Sequence, residues 1–222
     1  MKHYKKRFWE LYELLKVYYP LGLIDVSVDP TEYPGKNLLD KSISANLSDN
    51  NKQSKWKDAI LKIGSSLKLK AHDTTVFQKP TYSCDINLVH HQTRIGELKT
   101  TLHLTKSFLG PYFTFFITEF FIKNRCHHTI RQIVNPTPEY SDTFYKVIKE
   151  YKRYYPEDLF VPFLIYRKKL SGLSYFDDDE RIFHALFNHQ MNFNCEIVEG
   201  EFSDFEMKEW KNNDSSWIIG SP

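Results

Sequence analysis

Alternating polar and apolar residues between positions 82 and 123 predict three consecutive β-strands. From Gly96 to Thr105, leucines recur at even positions, whereas the odd positions carry polar or charged residues. Successive side chains of a strand point to opposite faces, so one face of this segment is dry and the other wet. Tyr82–His91 repeats the alternation, and Tyr112–Ile122 is apolar on both faces, which is typical of a covered central strand.

Apolar residues at helical spacing predict four amphipathic helices, at 3–19, 55–67, 141–154 and after the aspartates at 177–179. Shorter strands are predicted at 21–28, 42–48, 126–134 and 193–197, and 160–166 is predicted to be an edge strand or an extended loop. This irregular mixture favours an α+β fold. We expect a single domain over 1–222, with a mostly antiparallel sheet and about four helices packed largely on one face.

The composition indicates a folded chain without a strong overall charge. The 222 residues are 41% hydrophobic and 16% aromatic, which suffices for a substantial core. Lysine and arginine total 30 against 28 acidic residues, a formal net charge of +2. Binding to nucleic acid or to an anionic membrane would therefore depend on a local patch, because no global field attracts either one.

The cysteines and the apolar runs predict a cytoplasmic protein. Cys84, Cys126 and Cys195 are odd in number and widely spaced, which favours reduced thiols. The basic N-terminus is followed by apolar residues that Glu10 and Glu13 interrupt, so no signal-peptide core is predicted. The longest nearly uncharged run, 107–118, is too short to span a bilayer, and we expect no membrane association.

The sharpest catalytic candidate is Asp85 on one predicted strand with Glu97 and Lys99 on the next. Two nearby carboxylates can hold Mg²⁺, while a lysine stabilises an attacking water or the charge on a phosphate. The aspartate followed by Glu-x-Lys resembles the core of restriction-endonuclease-like nucleases. The resemblance implies Asp85 and Glu97 as metal ligands and Lys99 as the catalytic amine, although the additional acid that this family places on a preceding helix has only Asp58 as a counterpart.

The same three residues have a simpler interpretation. If the hairpin register places Asp85 opposite Lys99, the two form an ordinary cross-strand charge pair worth about 0.2 to 1 kcal/mol. Elsewhere the histidines come in doublets, and neighbouring residues of a strand point to opposite faces and do not chelate one metal. The sequence also lacks the glycine-rich loops that hold nucleotides, so we predict no metal site and no cofactor, with Mg²⁺ required only by the nuclease alternative.

Basic residues adjoin aromatic ones in two segments, which supply Tyr151, Arg153, Tyr155 and Arg167 as candidate binding residues. Such residues can stack on bases and contact phosphates, or they can anchor a protein interface. They can equally form the solvated side of a helix, whose long side chains lie along the surface. The three interpretations predict different partners for the same four residues.

Taken together, these patterns favour a cytosolic, non-enzymatic domain that binds another protein, such as an inhibitor or immunity-type protein that neutralises a toxin or an enzyme. Its many tyrosines and its mixed, nearly balanced charges suit a specific, aromatic-anchored interface. The alternative is a Mg²⁺-dependent nuclease that uses Asp85, Glu97 and Lys99. A nucleic-acid-binding module without catalysis is possible but not favoured.

Overall fold

The structure is a computed structural model of the 222-residue chain. It describes residues 6–21, 33–123, 126–170, 181–187, 191–200 and 205–210, and all structural statements below concern these residues. The predicted strand at 21–28, the aspartates at 177–179 and the last tryptophan of the sequence lie outside them, apart from residue 21.

Seven strands of the described chain form one mostly antiparallel sheet, in the order β1-β2-β3-β4-β5-β7, with β6 paired to β4. They are β1 (Ala71–Asp73), β2 (Thr81–Gln92), β3 (Glu97–Ser107), β4 (Tyr112–Lys123), β5 (Cys126–Ile133), β6 (Leu159–Phe160) and β7 (Glu196–Val198). Only the short β6 and β7 pair in parallel, with β4 and β5 respectively. Strands β2, β3 and β4 confirm the three strands predicted between positions 82 and 123, β5 confirms the one predicted at 126–134, and these four form the body of the sheet.

Six helices accompany the sheet in the described residues, which confirms the α+β class. They are α1 (Lys6–Tyr18), α2 (Pro34–Ser48), α3 (Asn50–Leu67), α4 (Ser141–Tyr154), α5 (Phe163–Tyr166) and α6 (Ile182–Leu186), and a 3₁₀ turn follows at Met207–Glu209. Four of these helices have more than ten residues, so they are long enough to carry an apolar stripe along one side.

The first core lies between one face of the sheet and the neighbouring helices α3 and α4. The apolar stripe of α3 packs there with Phe113, Phe115 and Ile117 of β4 and with Phe144 of α4. These β4 residues alternate along the strand, so they share a face. The stripes predicted for both helices are therefore confirmed as the sides that pack on the sheet.

A second core uses the opposite side of β4. Tyr112 and Phe116 pack there in one cluster with residues of α1, α2, α5 and α6, and the Phe116 ring centroid lies 5.9 Å from that of Phe183. Helices thus cover both faces of β4, rather than largely one face as predicted, because the strand is apolar on both. Trp210, near the C-terminus, is buried in this cluster and donates from Nε1 to the carbonyl of Phe160 at 2.8 Å.

The strand predicted at 42–48 is wrong, because this segment is the second half of α2. Ile43, Ala45 and Leu47 alternate with polar residues, but Leu39 and Ile43, four residues apart, are the buried pair. A spacing of four places them on one side of a helix, facing the second core, whereas Ala45 is exposed. The short alternation was therefore a coincidence within a helical pattern.

Two other boundaries also differ from the prediction. Helix α3 begins at Asn50 rather than near Lys55, because the side chain of Asp49 caps it by accepting from the backbone N–H groups of residues 51 and 52. The segment predicted as an edge strand or extended loop at 160–166 contributes the end of β6 and then turns into α5 after Pro162. Because α3 begins at Asn50, it also includes Lys52.

Candidate functional site

The structure places Asp85, Glu97 and Lys99 on one face of the sheet but does not bring them together. Asp85 lies opposite His103, while Lys99 lies opposite His90. Four residues separate His103 from Lys99 along β3, so Asp85 and Lys99 are about 13 Å apart in the strand direction. The cross-strand pair of Asp85 with Lys99, the simpler interpretation, is therefore wrong for this register.

Each acid of this group instead contacts a histidine. Asp85 Oδ1 lies 2.8 Å from His103 Nδ1, and the His103 ring is largely buried, with its centroid 5.0 Å from that of Phe116. Glu97 Oε2 lies 3.1 Å from His90 Nε2 near the exposed tip of the β2–β3 hairpin. Since the two pairs sit in different surroundings, the three residues do not form one reaction centre.

A shared metal position is not evident either. Among the residues that the structure describes, no three His, Cys, Asp or Glu side chains are grouped so that they could hold a metal ion. Two-metal and one-metal nuclease sites both require carboxylates that converge on the ion. The geometry therefore gives the nuclease alternative no support, and it stays a prediction from the sequence.

Tyr151, one of the predicted binding residues, is enclosed in the first core. Its ring stacks on Phe113 with centroids 3.8 Å apart, and its hydroxyl donates to Asp158 Oδ2 at 2.6 Å. Burial and the neighbouring carboxylate raise the pKa of Tyr151 well above its usual value. A side chain with no exposed surface cannot contact a partner, so the binding role predicted for Tyr151 does not fit the structure.

Tyr155 belongs to the same network. The ammonium nitrogens of Lys106 and Lys55 lie 4.6 and 4.7 Å from the centroid of its ring. Lys106 also contacts Asp158 Oδ2 at 2.5 Å, and burial, the largest influence, lowers the pKa of this lysine. These interactions attach the chain that follows α4 to strand β3, which indicates a structural role for Tyr155.

The two predicted arginines are exposed, and each has a neighbour within the chain. Arg153 pairs with Glu150 on its own helix at 2.6 Å, and Arg167 pairs with Glu199 at 3.2 Å. The guanidinium of Arg167 also lies 5.2 Å from the centre of the Phe163 ring. Because Tyr151 and Tyr155 are buried, the four predicted residues do not present a common binding surface.

A groove of about 320 Å³ lies between helix α3 and the loop of residues 74–80 that joins β1 to β2, and we call it the α3 groove. It is lined by Leu47, Gln53, Trp56, Lys57, Asp73, Thr75, Phe77 and Tyr82. Its volume is at the lower end of the range found for ligand pockets, about 300 to 1,000 Å³, so it could receive one or two side chains.

Two stacked rings form the aromatic wall of the α3 groove. The centroids of Trp56 and Tyr82 are 5.6 Å apart and their planes differ by 16°. The hydroxyl of Tyr82 donates to the carbonyl of Asn46 at 2.7 Å, and burial raises the pKa of Tyr82 to about 12. The wall is therefore rigid, because packing and a hydrogen bond fix both sides of the Tyr82 ring.

The rim of the groove exposes apolar side chains. Phe77 is 79% exposed and its neighbour Val76 is 50% exposed. The loop that carries them is ordered by hydrogen bonds: the N–H of Thr75 donates to Asp73 Oδ1 at 3.0 Å, and the N–H of Lys79 donates to the carbonyl of Val76 at 3.1 Å. The ring of Phe77 is therefore exposed to solvent at the rim of the groove and does not fill it.

Trp56 contributes an unused hydrogen-bond donor. The side chain is 1% exposed, and its Nε1–H has no acceptor among the residues that the structure describes. Most buried polar groups in folded proteins have a partner, and a buried donor without one costs about 1 to 3 kcal/mol. Because this nitrogen is buried, the missing acceptor lowers the stability of the fold and does not offer a contact to a partner.

Local sequence patterns do not single out the residues of the α3 groove. A signal was present, since Val76 and Phe77 are adjacent apolar residues within a turn-rich segment between a helix and a strand. Such residues are as common in buried loops as in exposed ones, so the sequence could not indicate that Phe77 faces solvent. The stacking of Trp56 on Tyr82 depends on residues 26 positions apart and had no local signal.

Comparison with protein families, with curated proteins and with solved structures finds no match to this chain. None of the described helices combines the length and the apolar character that crossing a bilayer requires. The candidate site therefore rests on the chain's own geometry.

Proposed function

We propose that the chain is a non-enzymatic protein-binding domain and that it contacts its partner through the α3 groove and the exposed Val76 and Phe77. One observation carries the proposal: Phe77 is 79% exposed beside a groove walled by Trp56 and Tyr82. Aromatic residues that insert into or surround a preformed pocket supply most of the binding energy in many protein interfaces. Covering Phe77 would remove a large apolar surface from water.

The proposal includes the kind of partner that the sequence favours. If the partner is a toxin or another enzyme, a domain that covers its active surface acts as an inhibitor of the immunity type. The odd, widely spaced cysteines favour reduced thiols, so we place this binding in the cytoplasm. Neither catalysis nor a cofactor is needed for this role.

The test is co-purification of the tagged chain, produced at its native level in its own cell, followed by mass spectrometry. We compare the natural chain with Phe77→Ser and with the control Ile95→Ser, which replaces a residue that is 69% exposed at the tip of the β2–β3 hairpin. The natural chain and Ile95→Ser should retain one stoichiometric partner, and Phe77→Ser should lose it by at least about tenfold, as expected for an interface anchor.

Two results would count against the proposal. Recovery of the monomer alone, from all three proteins, would remove the basis for a binding function. Equal recovery of a partner by the natural chain and by Phe77→Ser would show that the contact surface lies elsewhere.

A further inference from the structure

Helix α3, which forms one side of the groove, and the residues that follow it carry an excess of exposed positive charge. Residues 50–70 contain six lysines and one aspartate, a net charge of +5, and all seven of these side chains are exposed. The whole chain carries +2, so its remaining residues carry a net −3. This asymmetry is not visible in the overall composition.

Few acidic groups near α3 offset these lysines. Asp49, the N-cap of α3, lies 3.9 Å from the ammonium nitrogen of Lys52, and Asp58 is the one acid within the helix. Lys57 lines the groove itself together with Asp73, so these two charges balance there. The excess positive charge belongs to the other exposed lysines of residues 50–70, and its influence extends about 8 to 10 Å at physiological salt.

Apolar surface accompanies the charge. Leu61 is 60% exposed and lies one helical turn beyond Lys57 on the same side of α3, while Val76 and Phe77 lie across the groove. A phosphate backbone gains little from aliphatic side chains, whereas a protein segment buries them. The combination favours an acidic protein segment over a nucleic acid.

We propose that the occupant of the α3 groove is an acidic segment of a partner protein, whose aromatic or aliphatic side chain enters the groove while its carboxylates face the lysines of α3. The inference deepens the proposed function and rests on it. The apolar side chain packs against the exposed ring of Phe77 at the rim of the groove. Charge complementarity raises the association rate and selects the partner.

The first test uses defined probes. A random copolymer of glutamate and tyrosine, polyglutamate, and a mixed-sequence DNA duplex are titrated into the full chain, and the indole N–H signals of the tryptophans are followed by NMR. The copolymer should bind and move the Trp56 signal. Polyglutamate, which has no side chain for the groove, should bind at least about tenfold more weakly, a difference of 1.4 kcal/mol.

Charge-reversal variants identify the surface. Lys57→Glu with Lys62→Glu reverses two exposed lysines of α3, and Lys41→Glu with Lys149→Glu reverses two exposed lysines of α2 and α4. Both double variants have the same net charge. The α3 variant should weaken copolymer binding by at least about tenfold and the control by about twofold or less, since close charges dominate over distant ones in salt.

Several outcomes would overturn the inference: no binding of the copolymer, tighter binding of DNA than of the copolymer, or equal weakening by the two double variants. The co-purification experiment separates this failure from that of the proposed function. If the recovered partner depends on Phe77 but tolerates Lys57→Glu with Lys62→Glu, the binding function stands and the acidic segment is wrong. If the partner does not depend on Phe77, both fail.

Discussion

Helices α3 and α4 pack side by side on one face of the sheet, yet they use their aromatic and polar residues in different ways. At the end of α4, the hydroxyl of Tyr151 and the ammonium group of Lys106 both contact Asp158, so these groups satisfy one another. Beside α3, the Nε1–H of Trp56 has no acceptor in the described chain, and Phe77 faces solvent. The polar groups at the end of α4 stabilise the fold, whereas Phe77 beside α3 is available to a partner.

The comparison shows why residue type is a poor guide to function here. The sequence around α4 has the tyrosines and arginines that are enriched in interfaces, but Tyr151 and Tyr155 are buried in the core. The groove beside α3 uses residues that are ordinary in composition, and its significance comes from the exposure of Phe77. Three measurements test this distinction.

The largest effect is expected from Asp158→Ala. The change leaves the buried Lys106 without its carboxylate and Tyr151 without its acceptor, so the free energy of unfolding should fall by about 3 to 5 kcal/mol. Urea unfolding measures the loss. In the control, Asp142→Ala removes an exposed partner of Lys146 in the first turn of α4, and it should cost about 1 kcal/mol or less. Similar losses in the two variants would contradict a special role for Asp158.

An intermediate effect is expected from Tyr82 at alkaline pH. Its pKa is about 12 in the folded chain against an ordinary value of 10. Below pH 10 the tyrosine is protonated whether the chain is folded or unfolded, and its contribution to stability is complete. Between pH 10 and about 12 the unfolded chain loses the proton first, so stability should fall as the pH rises.

The variant Tyr82→Phe should make that decline shallower, as measured by urea unfolding at several pH values. It also removes the hydrogen bond to Asn46 at every pH, so its control is Thr105→Val, which removes a buried hydroxyl that donates to the carbonyl of Thr114 and does not titrate. The control should lower the whole curve and leave its slope unchanged. An unchanged slope in Tyr82→Phe would show that the groove wall is more hydrated than its burial suggests.

The smallest effect on stability is expected for Phe77→Ser, the variant with the largest expected effect on binding. Phe77→Ser should change the free energy of unfolding by about 0.5 kcal/mol or less, because the ring is already in water. Ile95→Ser, at a similarly exposed position, should behave alike. Substitutions of large buried apolar residues lower the free energy of unfolding by about 2 to 5 kcal/mol. A loss above about 2 kcal/mol for Phe77→Ser would therefore mean that the ring stabilises the fold rather than a complex with a partner.

Local sequence patterns predicted strands β2 to β5 and the long helices α1, α3 and α4, whereas β1 was not predicted and part of α2 was predicted as a strand. Period-two alternation gave β2 and β3, and the doubly apolar β4 indicated a strand covered on both faces. These patterns are local, since a strand's side chains alternate whatever its neighbours are. The helix boundaries were harder to predict, because a cap such as Asp49 acts through two hydrogen bonds that several neighbouring polar residues could also supply.

Which residues are in contact depends on the tertiary structure. The register that pairs Asp85 with His103 depends on how two strands align, and shifting the pairing would have placed Lys99 there instead. Tyr151 is buried because its ring stacks on Phe113 and its hydroxyl donates to Asp158. Phe77 is exposed because no described element covers its loop. Burial and long-range contact are properties of the packed chain, so no single segment of the sequence carries them.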